Sequence, residues 1–185
     1  NIRTDVFSFP WFILFCASNA RFIGFAIENI FRNGSGFSER LTLFRSLVRK
    51  AGIFRFLKQK KFEKTLVVVD EGIFHIAHNI LCSPDWCANK EKIKEFYSLV
   101  PLPDKLIILI SPQEVLLRNL ECRGDLSPRV KDLCSLKQFL KHALAVFEQL
   151  KAECKGAKFG LILDLEECFS SEHVSKGINY VFDAK

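Results

Sequence analysis

The sequence predicts a three-layer α/β/α domain built on a parallel sheet, and three apolar runs carry that expectation. Thr65-Leu66-Val67-Val68-Val69, Lys105-Leu106-Ile107-Ile108-Leu109-Ile110 and Phe159-Gly160-Leu161-Ile162-Leu163 are apolar without alternation. Strands covered on both faces of a parallel sheet read this way. Stretches with helical spacing separate the runs, and strand, helix, strand order implies crossovers that set the strands parallel. The first run ends in Asp70-Glu71-Gly72. In open α/β sheets ligands lie beyond the carboxyl ends of the strands, so this carboxylate pair is the prime candidate for acidic chemistry. The plainer reading is a strand followed by a solvated Asp-Glu turn.

Composition bounds the answer without choosing it. With 185 residues and 21.3 kDa the chain fits one domain over 1–185, helical over 1–64 and carrying the three strands over 65–185. A 49% hydrophobic content with 19 Phe excludes disorder. The net charge of +6 suits an anionic partner, whether a nucleotide phosphate, a nucleic acid or an anionic lipid. Seven cysteines without a C-x-x-C pair predict reduced thiols in a cytoplasmic protein and argue against a zinc site or disulfide framework. The sequence begins at Asn1 and holds no Met, so either a preceding segment or modified methionines are expected to be missing from it.

In chain order, Val6 to Ala17 is apolar, and Pro10 is expected to interrupt it. It falls short of the roughly 18 residues of a membrane span, so an integral membrane protein is not expected. Signal-peptide features are missing too. Helices, or a docking surface packed on the core, are the expected use of this Phe-rich start. Arg32 to Gly36 reads as a turn. Gly34-Ser35-Gly36-Phe37-Ser38 is a poor phosphate-binding loop, since Phe31 and Phe37 stand where glycine and lysine are required. From Ser38, Leu41, Phe44, Leu47 and Val48 have helical spacing, with Arg40, Arg45, Arg49 and Lys50 assigned to other faces. Lys58, Lys60, Lys61 and Lys64 form a basic connection.

Ile73 to Leu81 predicts a short helix stopped near Ser83-Pro84. Its His75 and His78 lack a third ligand for a metal, so one packed and one exposed histidine is expected. Asn89 to Val100 predicts another helix. Ser111-Pro112-Gln113-Glu114 has the form of a capping box with proline at the first helical position. The helix it starts carries Arg118 and breaks at Arg123-Gly124-Asp125, before Ser127-Pro128-Arg129 caps the next. Three arginines thus border one loop, either as a solvated charged loop or as a polyphosphate clamp. Leu133 to Leu150 is helical by spacing, with Gly156 as its stop, and a last helix is expected from Ser171.

Taken together, Asp70-Glu71-Gly72, the Pro101-Leu102-Pro103-Asp104 approach to the second strand, Ser111-Pro112-Gln113-Glu114 with Arg118 and Arg123-Gly124, and Asp164 before Ser171 resemble the P-loop kinases of the thymidylate-kinase-like group. The likeness spans roughly residues 65–182 by motif order. It implies a P-loop kinase sheet whose first strand and G-x-x-x-x-G-K-[ST] loop are missing from the sequence. It implies ATP and magnesium as cofactors, with Asp70 acting on magnesium through water and Glu71 orienting or deprotonating the phosphate acceptor. Arg118, Arg123 and Arg129 would belong to a lid over the ATP phosphates, Arg123 also serving catalysis. The implied partners are a nucleotide and a small-molecule acceptor, with a homodimer allowed and nucleic acid not expected. Thymidylate kinases carry Asp-Arg where this chain has Asp70-Glu71, which leaves the acceptor open. Two other classes are a non-catalytic nucleotide- or protein-binding module and a membrane-peripheral protein docked by the Phe-rich start and its basic residues.

Overall fold

The computed structural model describes residues 2–33, 36–60, 67–123, 130, 132–154, 160–164, 175, 176 and 179. Three helices open the chain: α1 (Ile2–Ser18), α2 (Ala20–Asn33) and α3 (Phe37–Lys60). A 3₁₀ turn (Ile73–Ile76) leads into the single-turn α4 (Ala77–Ile80) and a small antiparallel hairpin, β1 (Cys82–Ser83) with β2 (Trp86–Cys87). Then come α5 (Lys90–Leu99), β3 (Leu106–Ile110), α6 (Gln113–Arg123), α7 (Leu133–Cys154) and β4 (Gly160–Asp164).

Aromatic residues organise the first third. α1 lies on α3, and the crossing is made at Gly52, where a Cβ would stand 2.2 Å from the backbone oxygen of Ser8. Only glycine permits that approach. Ring edges then interlock across the crossing: Phe7 and Trp11 on Phe56, Phe12 on Phe44, Phe15 on Phe54. Pro10 does not interrupt α1, which runs through it. The proline is exposed on the outward side of the helix, where its ring costs the Val6 carbonyl its intrahelical donor. α2 adds Phe22, Ala26 and Ile30 to the same core, which continues through Phe74, Ile76, Ile80 and Phe96 to Val146 and Leu150 of α7. Each fully buried Phe or Leu there contributes about 1.5–3 kcal/mol of transfer free energy.

Local signals are obeyed where they are strong. The Asn89 side chain accepts from Lys92 N at 3.0 Å and starts α5. α6 begins at Gln113, with Leu116 N donating to Pro112 O at 3.1 Å. α7 opens on a reciprocal cap in which Ser135 N donates to Asp132 Oδ1 at 2.7 Å and Asp132 N to Ser135 Oγ at 3.0 Å.

The parallel three-layer sheet is overturned. The molecule is mostly helical, and its described strands form two separate two-stranded sheets. β3 and β4 do pair in parallel, Leu106 opposite Gly160 through Ile110 opposite Asp164. The run expected to be the central strand does not join them. Thr65 and Leu66 lie outside the described residues, while Val67, Val68 and Val69 have no strand partner and are exposed, Val68 by 80%. A both-faces-apolar run becomes a central strand only where neighbours flank both edges and helices cover both faces. Here α1, α2 and α3 spend their apolar surface on one another instead. The helix expected from Ser171 falls largely outside the described residues.

Candidate functional site

The best-built polar cluster lies where α3 meets the turn after the Val67–Val69 segment. Asp70 and Glu71 form that turn, and Glu71 adopts φ 50°, a left-handed conformation uncommon for a side-chain-bearing residue. Lys50 explains why the turn holds. Its side chain is only 7% exposed, and its ammonium donates to Glu71 O at 2.8 Å and approaches Glu71 Oε2 at 3.4 Å. The third neighbour is His75 Nδ1 at 3.3 Å. Three acceptors thus meet the three donors of one buried cation.

The histidines extend this cluster. Since Nδ1 of His75 faces an ammonium, it serves as an acceptor and the ring is neutral. His78 Nδ1 donates to His75 O at 2.6 Å, the two rings lie 4.4 Å apart, and Phe147 of α7 packs against both. Both histidines are half-buried, in place of the one packed and one exposed that spacing suggested.

Electrostatics follow from this packing. Burial lowers the pKa of Lys50, with the Glu71 carboxylate opposing. Burial and then Lys50 hold His75 below its ordinary value. For Glu71, burial acts upward, but the positive charge His75 gains when protonated and the Lys50 ammonium together bring the carboxyl below its ordinary range. Glu71 is therefore ionised, anchored on one side and open on the other, its side chain 59% exposed. Asp70 beside it is exposed. Such a pair can orient a hydroxyl group and draw a hydrated cation. Among the described residues no group of three His, Cys, Asp or Glu is placed to hold a metal directly. A magnesium ion that keeps its waters needs only one or two carboxylates with substrate phosphates, so Asp70 fits it through water.

Among the described residues, no hydrogen bond or ion pair brings Arg118 to this cluster. Arg118 is exposed on α6, and Arg123 ends that helix. Arg129 and the cap at Ser127 lie outside the described residues. Lys50, assigned by the sequence to a face away from the apolar stripe, lies buried on it, and His75 was weighed with His78 rather than with Glu71, although a signal existed for each. Lys50 follows Leu43 and Leu47 and precedes Ala51 on one helical stripe, all of them buried. His75 stands four residues after Glu71, the spacing of a facing pair. In comparison with known proteins, the chain matches no protein-family model, no curated protein and no solved structure.

Proposed function

We propose that the protein is an ATP- and magnesium-dependent phosphotransferase acting on a nucleotide or another small phosphate acceptor, in the cytoplasm. The observation that carries the reading is Glu71, kept ionised and fixed by Lys50 while its outer side stays open beside exposed Asp70. Phosphoryl transfer asks little covalent work of a protein; it asks for positioning and charge. Magnesium-bound ATP would supply the transferable group. Glu71 orients the acceptor hydroxyl and takes its proton, and Asp70 holds the water shell of the metal. Arg118, Arg123 and Arg129 supply cationic donors for the phosphate chain.

The test is ADP formation by the purified protein with ATP, magnesium and a panel of nucleoside monophosphates. Asp70→Asn is expected to abolish magnesium-dependent turnover while leaving the melting temperature unchanged, and unchanged turnover refutes the assignment. A second reading, a nucleotide- or protein-binding module without catalysis, is favoured by the engagement of Glu71 with Lys50 rather than with Asp70 across an open metal position. Binding of ATP in calorimetry with no turnover against any acceptor selects it.

A further inference from the structure

We infer that the outer face of α1, with the basic rim beside it, is a docking surface for an anionic lipid bilayer. From Val6 to Ala17 α1 carries no charged residue and is apolar on nearly every side, which sets it apart from the one-sided helices of a soluble core. Ser8, Phe12 and Phe15 turn inward. Val6, Phe9, Ile13 and Leu14, at helical spacing, turn to solvent with exposures of 68, 54, 55 and 45%. Pro10 and Ala17 continue this stripe, and no charged residue breaks it. Contiguous apolar surface of this kind marks an interaction site.

Charge identifies the occupant. Residues 1–60 hold ten of the 27 Lys and Arg but only three of the 21 Asp and Glu, so the whole positive excess of the chain resides in α1 to α3. Some of it borders the stripe. Arg45, its side chain 54% exposed, pairs with Asp5, the residue before Val6. Lys60 lies 5.9 Å over the Phe56 ring, which itself touches Phe7 and Trp11. A second copy of the chain would bring two such rims together and repel. Anionic headgroups attract the rim, and the boundary beneath them takes the Phe, Ile and Leu side chains. The geometry is interfacial rather than spanning. No single described helix is long and apolar enough to cross a membrane; α1 and α2 reach that length and apolarity only together, but they are bent by 111° and α2 spends its own apolar face in the core.

Flotation of the full chain with vesicles of phosphatidylcholine alone and of phosphatidylcholine with phosphatidylserine tests this. Binding to the mixed vesicles, weak binding to the neutral ones, and release by salt are expected. The double variant Phe9→Glu/Ile13→Glu, with unchanged circular dichroism, is expected to bind the mixed vesicles at least about tenfold less. Should that variant not fold, Arg45→Glu/Lys60→Glu on the rim is expected to remove the preference for phosphatidylserine. Absence of wild-type flotation, or equal flotation with both vesicle types, overturns the proposal. So does a wild-type dimer in sedimentation, dissociated by Phe9→Glu/Ile13→Glu, with no vesicle binding: the face then joins two copies.

Discussion

Two lysines of α3, one helical stripe and one surface turn apart in character, each meet a carboxylate. Lys58 Nζ lies 2.6 Å from Asp104 Oδ1, the closer of the two contacts, yet the side chains are 43 and 93% exposed. Lys50 stands farther from its carboxylate, at 3.4 Å, but is 7% exposed and has a carbonyl and an imidazole as further acceptors. Distance alone ranks them the wrong way. An exposed pair contributes little because water screens it and two long side chains must be ordered. A buried ammonium has lost its hydration, so every acceptor around it matters. The first pair decorates a surface; the second shapes a turn and fixes the state of a carboxylate.

The largest effect is expected on the opposite face of α3 from Lys50, where α1 crosses it. Gly52→Ala places a methyl against the Ser8 carbonyl, so α1 must lift. A loss of at least about 2 kcal/mol in denaturant unfolding is expected, despite the better helix propensity of alanine. A midpoint equal to or above that of the wild type would show that the crossing does not hold the helices.

Next comes Lys50→Ala, expected to cost about 1–3 kcal/mol by leaving the Glu71 carbonyl without its donor. Glu71 is half in water, which keeps the loss below that of a fully buried ion pair.

The pH dependence sharpens the comparison further. His75 is held below its ordinary 6.5 and Glu71 below its ordinary 4.5, so in both cases the unfolded chain takes up a proton first as pH falls. Stability is therefore highest above pH 6.5 and declines as pH drops below that value, with Glu71 adding a second decline beneath pH 4.5. His75→Gln keeps an acceptor for Lys50 and removes the first decline, which thermal melts across this range would register. A wild-type melting temperature that rises on acidification contradicts the arrangement.

The smallest effect belongs to Lys58→Ala, at most about 0.5 kcal/mol and reduced by salt. If Lys58→Ala and Lys50→Ala cost the same, burial is not what separates the two pairs.

Parts of this molecule were legible from the chain alone. The helix expected from Asn89, the start of α6 beside Ser111-Pro112, the 3.6-residue rhythm of α7 and the paired runs ending at Ile110 and Asp164 all appear near where local chemistry puts them. These are short-range signals, set by a side chain and its neighbours along the sequence. Asp70-Glu71 was expected at the end of a strand and forms a turn instead, and the partner of Glu71 was not legible, because Lys50 is twenty-one residues away and arrives only when α3 packs.

What the sequence by itself determined is therefore most of the helical segments, two of the three apolar runs that pair as strands, and where carboxylates and basic residues accumulate. What only the tertiary structure decided is which apolar surface meets which. Val67, Val68 and Val69 carry the pattern of a central strand and lie in solvent, whereas Lys50 carries a charge and lies inside. A residue's burial is a property of what folds over it: the Glu71 turn and His75 close around the lysine, while no described strand pairs with the valines.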